Sequence, residues 1–210
     1  MLSERAYDQV SFIGETIFIS KYLPEDINRV TQIWKVDIAS GKHFQLTFSK
    51  WGNENTNPVS ARDNLYFLRR RYGGGESNYS IMHLDSSGNE NKLLEFGPLY
   101  DISHLSIDNK DENLIYVSFF RATINYPREI WSYNLRSHEN KKLHTLTYED
   151  KGYHGYLIGL EFIDNGRLLY LSIPYNARNP VGNLMMLDKN FMNPRVVLEN
   201  IGFFDWTSAR

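Results

Sequence analysis

One pattern returns along this chain about every fifty residues: a hydrophobic-Ser or hydrophobic-Phe segment, a polar turn, then a strongly β-prone run. It reads Gln9-Val10-Ser11-Phe12, Pro58-Val59-Ser60-Ala61, His104-Leu105-Ser106-Ile107 and Gly159-Leu160-Glu161-Phe162, with a last copy at Asp205-Trp206-Thr207-Ser208. A unit of this size cannot bury its apolar faces alone, so the period points to blades of a propeller or units of a solenoid.

Each unit has the same internal order. In the first, Thr16-Ile17-Phe18-Ile19-Ser20 is a dense β-run, and Gln32 to Ile38 alternates apolar and polar residues as a half-buried strand does. Ala39-Ser40-Gly41-Lys42 has turn chemistry, and His43 to Thr47 closes the unit. The second unit repeats this with Asn64 to Leu68, Tyr79 to Asp85, a turn at Ser86-Ser87-Gly88-Asn89, and Lys92 to Leu94. The third gives Asn113 to Val117, Glu129 to Leu135 and Lys142 to Thr147; the fourth gives Gly166 to Ser172, Asn183 to Asp188 and Arg195 to Leu198. No amphipathic helix of ten residues or more is visible. The expected fold is all-β: a β-propeller of four-stranded antiparallel blades. Four complete blades are expected at about 7–48, 57–97, 102–148 and 156–202, with the first strand of a fifth at 203–210, all in one domain spanning 1–210. An irregular β-sandwich is the competing architecture, disfavoured by the shared order within every unit.

Composition excludes several functions. The chain has 210 residues, 41% of them apolar and 14% aromatic, enough for a packed core in one large domain or two small ones. Its 14 Tyr and 12 Phe favour strands. A formal charge of −2 leaves no electrostatic footprint for nucleic acid and no polybasic membrane patch. No stretch approaches the length of a membrane span. Zero cysteines remove disulfides, thiolate metal ligands and Cys nucleophiles. Met1 to Arg5 lacks the basic-then-apolar signature of a secretory leader, so the chain as written reads as cytoplasmic, or as periplasmic if a leader was removed.

Ile33-Trp34-Lys35-Val36-Asp37-Ile38-Ala39-Ser40-Gly41-Lys42, then Gln45-Leu46-Thr47 and Asn57-Pro58-Val59-Ser60, resembles the TolB-type or WD40-like propeller repeat. In that family an Ile-Trp-x-x-Asp stretch with a later Gly and Leu-Thr ends one blade, and a Ser-Pro-Asp-Gly turn opens the next. The propellers of TolB, of tricorn-like proteins, and of prolyl oligopeptidase and dipeptidyl peptidase IV share it. The resemblance covers about residues 7–210. The Ser-Pro-Asp-Gly turn has diverged to Ser60-Ala61-Arg62-Asp63-Asn64, Ser106-Ile107-Asp108-Asn109 and Ile163-Asp164-Asn165-Gly166, which keep residues suited to tight turns. Rings of this type hold about six or more blades. The resemblance therefore implies further blades, from a longer gene product or a second chain, unless four close by themselves.

Catalytic motifs are absent: no Gly-x-Ser-x-Gly, no His-Glu-x-x-His, no phosphate loop, no sialidase Asp box. Gly73-Gly74-Gly75 reads as a flexible loop between strands, and His83 and His144 as packing or edge residues. Asp101, Asp150 and Asp205 recur near unit starts and read as turn residues; His104 and His154 are weak candidates for a metal ligand pair. No cofactor is expected. The stronger signal is one face. In a propeller the loops between the second and third strands emerge beside the inter-blade loops. Here the former carry Arg69, Arg71, Tyr72, Tyr126, Arg128, Tyr175 and Arg178, and the latter Trp51, Asn53, Tyr100, Tyr153 and His154. Tyr, Trp and Arg combine contact area with a polar end and dominate interface hot spots. The expected function is a non-enzymatic module binding a protein or peptide through this loop face, with self-association or a completing second chain as a further partner. Two alternatives are the substrate-gating propeller of a serine peptidase of the prolyl oligopeptidase class, and a propeller lyase or hydrolase acting on acidic sugars. Tyr72→Ala or Arg128→Ala is expected to weaken partner binding while leaving the melting temperature nearly unchanged.

Overall fold

The computed structural model describes residues 6–13, 16–22, 30–50, 52–61, 63–73, 76–108, 110, 112–121, 127–146, 155–163, 167–174 and 181–202. Among them there is no helix, and sixteen strands form four four-stranded sheets. The first sheet holds β1 (Ala6–Ile13), β2 (Thr16–Tyr22), β3 (Thr31–Asp37) and β4 (His43–Gln45). The second holds β5 (Asn53–Ala61), β6 (Asn64–Gly73), β7 (Glu76–Leu84) and β8 (Glu90–Phe96). The third holds β9 (Tyr100–Ile107), β10 (Asn113–Phe120), β11 (Arg128–Asn134) and β12 (Asn140–Leu146). The fourth holds β13 (Gly155–Ile163), β14 (Arg167–Pro174), β15 (Val181–Leu187) and β16 (Arg195–Gly202). Spatial order follows chain order in every sheet, so each is a meander, the construction of a propeller blade. The fifth-blade strand expected at 203–210 lies outside the described residues.

Burial decides which strand is which. In the second and third sheets the second strand is a continuous apolar run: Leu65 to Leu68 in β6 and Leu114 to Val117 in β10 are buried on both faces. The fourth strands are mostly exposed and carry charge, as in Glu90-Asn91-Lys92 of β8 and Lys141-Lys142 of β12, which suits an outer edge.

The repeated hydrophobic-Ser segment has a backbone cause. In β1, β5 and β13 a register shift falls at or just before it, between Tyr7 and Val10, Thr56 and Val59, and Ile158 and Leu160. Such bulges bend and twist a strand. Asn57 within the β5 irregularity has φ 56°, and His104 in β9 has φ 53°. Asn and His tolerate this left-handed region better than most side chains.

The turns between third and fourth strands share one device. Asp37 Oδ1 accepts from Ser40 N and Oγ at 2.7 and 2.8 Å. Asp85 Oδ1 accepts from Ser87 N and Asn89 N, both at 2.9 Å. Asp188 Oδ1 accepts from Asn190 N and Met192 N at 2.9 and 3.0 Å. In the third sheet Asn134 does the same with a neutral amide, accepting from Arg136 N and Ser137 N at 3.0 and 2.8 Å. This is the Asx-turn, in which a short side chain replaces a missing backbone partner. A residue with positive φ follows each cap: Gly41, Gly88, His138 and Phe191. The Asp-x-x-x-Gly spacing of the first unit therefore encodes a self-capped hairpin.

The sheets divide into two compact units, residues 1–105 and 106–210. In the first, Ile33 packs with Leu65, Phe67, Met82 and Leu84, flanked by Phe18 and Leu46, so the first two sheets share a core. In the second, Ile115, Val117, Ile130 and Leu146 pack with Leu160, Leu168, Tyr170, Met185 and Leu187, joining the last two sheets.

Acid should weaken the capped turns. The backbone amide of Ser40 holds the Asp37 carboxyl below its ordinary range, that of Asn89 does so for Asp85, and that of Met192 for Asp188. The unfolded chain then takes up protons first, so the stabilisation is complete above about pH 4 and declines as pH falls through the lower folded-state values. Urea midpoints measured from pH 6 to 3 should fall. The triple variant Asp37→Asn, Asp85→Asn, Asp188→Asn should show a flatter profile; an unchanged slope would mean the caps do not contribute.

Candidate functional site

The candidate face includes the end of the second sheet where β6 turns into β7. The Arg-rich segment expected as a loop is strand instead. Arg69, Arg71 and Tyr72 lie in β6 and pair with Ser80, Asn78 and Ser77 of β7. Asn53, expected in an inter-blade loop, lies in β5 opposite Arg71. Tyr100 opens β9, and Arg128 opens β11. The segment reads as loop because it is polar; it stays paired because a three-stranded ribbon of β5, β6 and β7 continues past the buried core. Gly73 ends β6, and Gly74 and Gly75 lie outside the described residues.

On one face of this ribbon Arg70 is held between two tyrosines. Its guanidinium carbon lies 4.4 Å from the Tyr72 ring centre and 5.5 Å from that of Tyr79. Alternation and the Arg70–Tyr79 pairing put all three on the same side. A cation over aromatic faces is attracted by the ring quadrupole and loses rotational freedom. Arg70 Nη2 is 3.5 Å from Ser77 Oγ, and its buried Nε has no hydrogen-bond partner. Tyr72, 42% exposed, donates its hydroxyl to Glu54 Oε2 at 2.8 Å. Its amide donates to Gly52 O at 2.7 Å, fixing the chain entering β5. Arg71 stands exposed on the alternate face. The sequence places Arg70 in the same polar run as Arg69, Arg71 and Tyr72 but does not show that it meets Tyr79, because that contact depends on hairpin register; the glycine run as the hairpin tip is the available signal.

Arg69 belongs to a different arrangement. Its Nε donates to Asn55 Oδ1 at 2.8 Å and its Nη2 to Glu90 Oε2 at 2.6 Å, and its guanidinium lies 5.4 Å from the Phe67 ring centre. Asn55 is fully buried, and its Nδ2 donates to Gln32 Oε1 at 3.0 Å, Thr47 Oγ1 at 3.1 Å and Ser49 Oγ at 2.6 Å. Thr47 Oγ1 donates to Gln32 Oε1 at 2.7 Å and accepts from Ile33 N at 2.9 Å. Arg69 thus anchors a polar network tying the first two sheets together.

Arg128 is 8% exposed, with its guanidinium carbon 3.6 Å from the Phe119 ring centre. The expectation that it stands in a loop is corrected: at the start of β11 it packs inward. Tyr100 is 40% exposed beside the turn where its amide donates to Gly97 O at 3.0 Å. Trp51, Tyr126, Tyr153, His154, Tyr175 and Arg178 lie outside the described residues, as do Asp150 and Asp205. His104 is a half-buried member of β9, Asp101 lies in the same strand, and His144 lies in β12. His83 stacks on Tyr66 at 5.1 Å and bonds Asn64 Oδ1 at 2.9 Å, a packing role. Among the described residues no group of three or more His, Asp or Glu is placed to hold a metal ion.

Solved structures similar to this chain are propeller proteins. TolB from Acinetobacter baumannii superposes with a TM-score of 0.64 at 14% identity, over 94% of this chain and 45% of that one. The β-propeller domain of the trilobed protease from Pyrococcus furiosus gives 0.55 at 12%, over 94% and 59%. Oligogalacturonate lyase from Vibrio parahaemolyticus gives 0.58 at 9%, over 87% and 48%. The fold is a TolB-like β-propeller. This chain spans about half the length of each of these structures. No family model matches the sequence. No curated protein matches it. Identities this low establish the fold and leave function to the residues.

Three substitutions separate structure from surface. Asn55→Ala removes the buried amide at the centre of the network and should cost about 2 kcal/mol or more in urea denaturation. Arg128→Ala loses a buried stacked guanidinium and should also destabilise, by about 1–3 kcal/mol. Arg71→Ala, exposed on the ribbon, should stay within about 0.5 kcal/mol of the parent chain. Equal stability of all three variants would contradict these assignments.

Proposed function

We propose that this TolB-like propeller is a non-enzymatic module that binds a protein or peptide through the long-connection end of its sheets. The observation carrying this reading is the Tyr72–Arg70–Tyr79 stack, with Arg71 and Tyr100 exposed at the same end. Hot spots favour Tyr and Arg because a rigid aromatic surface with a polar tip gives area at low entropic cost. Here the rigidity is built in. Strand pairing fixes the backbone, Glu54 fixes the Tyr72 hydroxyl, and two rings fix the guanidinium. Preorganisation of this kind lowers the ordering cost of association.

The test compares the parent chain with Tyr72→Ala and with Arg71→Glu, each immobilised and exposed to an extract of its own cells. A partner retained by the parent and lost by both variants, at unchanged melting temperature, supports the reading. Equal recovery by parent and variants would overturn it. So would turnover of oligogalacturonate or of a peptide substrate by the purified chain, which would favour the lyase or peptidase alternatives.

A further inference from the structure

At the opposite end of the same two sheets, where β5 turns into β6 and β7 into β8, the first and second sheets enclose an open cleft of about 790 Å³. That volume lies within the range of sites for small ligands or a few peptide residues. Short turns border it, and the sequence singled out none of its residues as a site. Its floor is the flank of the shared core: half-buried Phe18 and Leu46 from one sheet, buried Leu65 and Leu84 from the other. Phe48 lines it while 74% exposed, the most exposed of the large apolar side chains described. An aromatic ring standing in water beside an apolar floor leaves a face available for contact.

The polar groups are sorted by wall. Asp63, Asp85 and Glu90 line the second-sheet side and Lys35 the first-sheet side; with Glu90 paired to Arg69, the described groups leave Asp63 and Asp85 against one lysine. Asp63 is exposed at the β5–β6 turn with φ 66°, and the Asp85 carboxylate is fixed by its own turn.

We infer that this cleft is a second binding site, which takes an arginine side chain of an extended peptide. Aromatic surface plus fixed carboxylates is the chemistry that recognises an organic cation. Arginine suits it better than lysine because a planar guanidinium stacks on Phe48 while its fork reaches a carboxylate. Lys35 on the first-sheet wall leaves the carboxylates of the second-sheet wall as the side that favours a cation. The site is independent of the Tyr–Arg stack and stands if that reading fails.

The test uses a fluorescein-labelled peptide, acetyl-Gly-Phe-Arg-Phe-Gly-amide, and its counterpart with Glu for Arg, in anisotropy titrations of the whole chain. The Arg peptide should bind saturably and weaken with added salt. The Glu peptide should not bind. Phe48→Ala and Asp63→Asn should each weaken binding by about tenfold, the scale of one cation contact. Phe48 is exposed and Asn tolerates the backbone of residue 63, so both variants should melt as the parent does. Tyr72→Ala should leave this binding unchanged. Absence of saturable binding, equal binding of the Glu peptide, insensitivity to both cleft substitutions, or loss on Tyr72→Ala would each overturn the inference.

Discussion

A four-stranded meander cannot bury both faces of its own second strand, and the architecture follows from that constraint. Phe67 in β6 and Val117 in β10 are wholly inaccessible to water, yet their sheets are single layers. The missing cover comes from a neighbouring sheet: Phe67 packs with Ile33 of β3, and Val117 shares a core with Tyr170 of β14. Burial of this kind is the dominant favourable term, but it is non-directional. Apolar contact alone would tolerate several ways of laying one sheet on the next.

Directional chemistry narrows the choice in the first unit. Gln32, Thr47 and Asn55 are fully buried polar residues that bond one another, and Arg69 closes the set. A buried amide with its partners displaced would leave unsatisfied groups in a low-dielectric interior, which is expensive. The network therefore penalises any slip of the second sheet against the first. It also explains why one arginine of a run of three is structural. Arg69 faces the neighbouring sheet, and Arg70, one residue on, faces the other way into a tyrosine stack.

Strands were legible wherever apolar residues alternate or run together, because that pattern is the direct image of burial. Ile33 to Asp37 and Leu114 to Val117 could be assigned from residues alone. The turn device was legible too, since Asp37 to Gly41 carries its whole mechanism within five residues. What failed to show was anything set by pairing at a distance. Asn53 and Arg71 look like loop residues until the β5–β6 register brings them together. Asn55 meets Gln32 across 23 residues, and nothing local marks either as buried. Leu46-Thr47 of the repeat motif was the one written trace of that network, and its use for Thr47 Oγ1 became clear only in three dimensions. Arg128 reads as a surface arginine because charge usually means exposure, and the Phe119 ring beside it reverses the expectation.

The acids of the described residues are largely engaged in holding the fold, and this bears on what the site can do. Asp37, Asp85, Asp108 and Asp188 each accept backbone amides within their own turns, and Glu90 is paired with Arg69. Glu54 takes the Tyr72 hydroxyl, and Glu129 takes the Trp131 indole and Lys142. General acid–base work asks for a carboxyl held near neutrality, commonly by burial without compensation. Hydrogen bonding in the capped turns acts in the other direction and keeps Asp37, Asp85 and Asp188 ionised. Such fixed charges suit recognition: they attract or repel a partner without changing state.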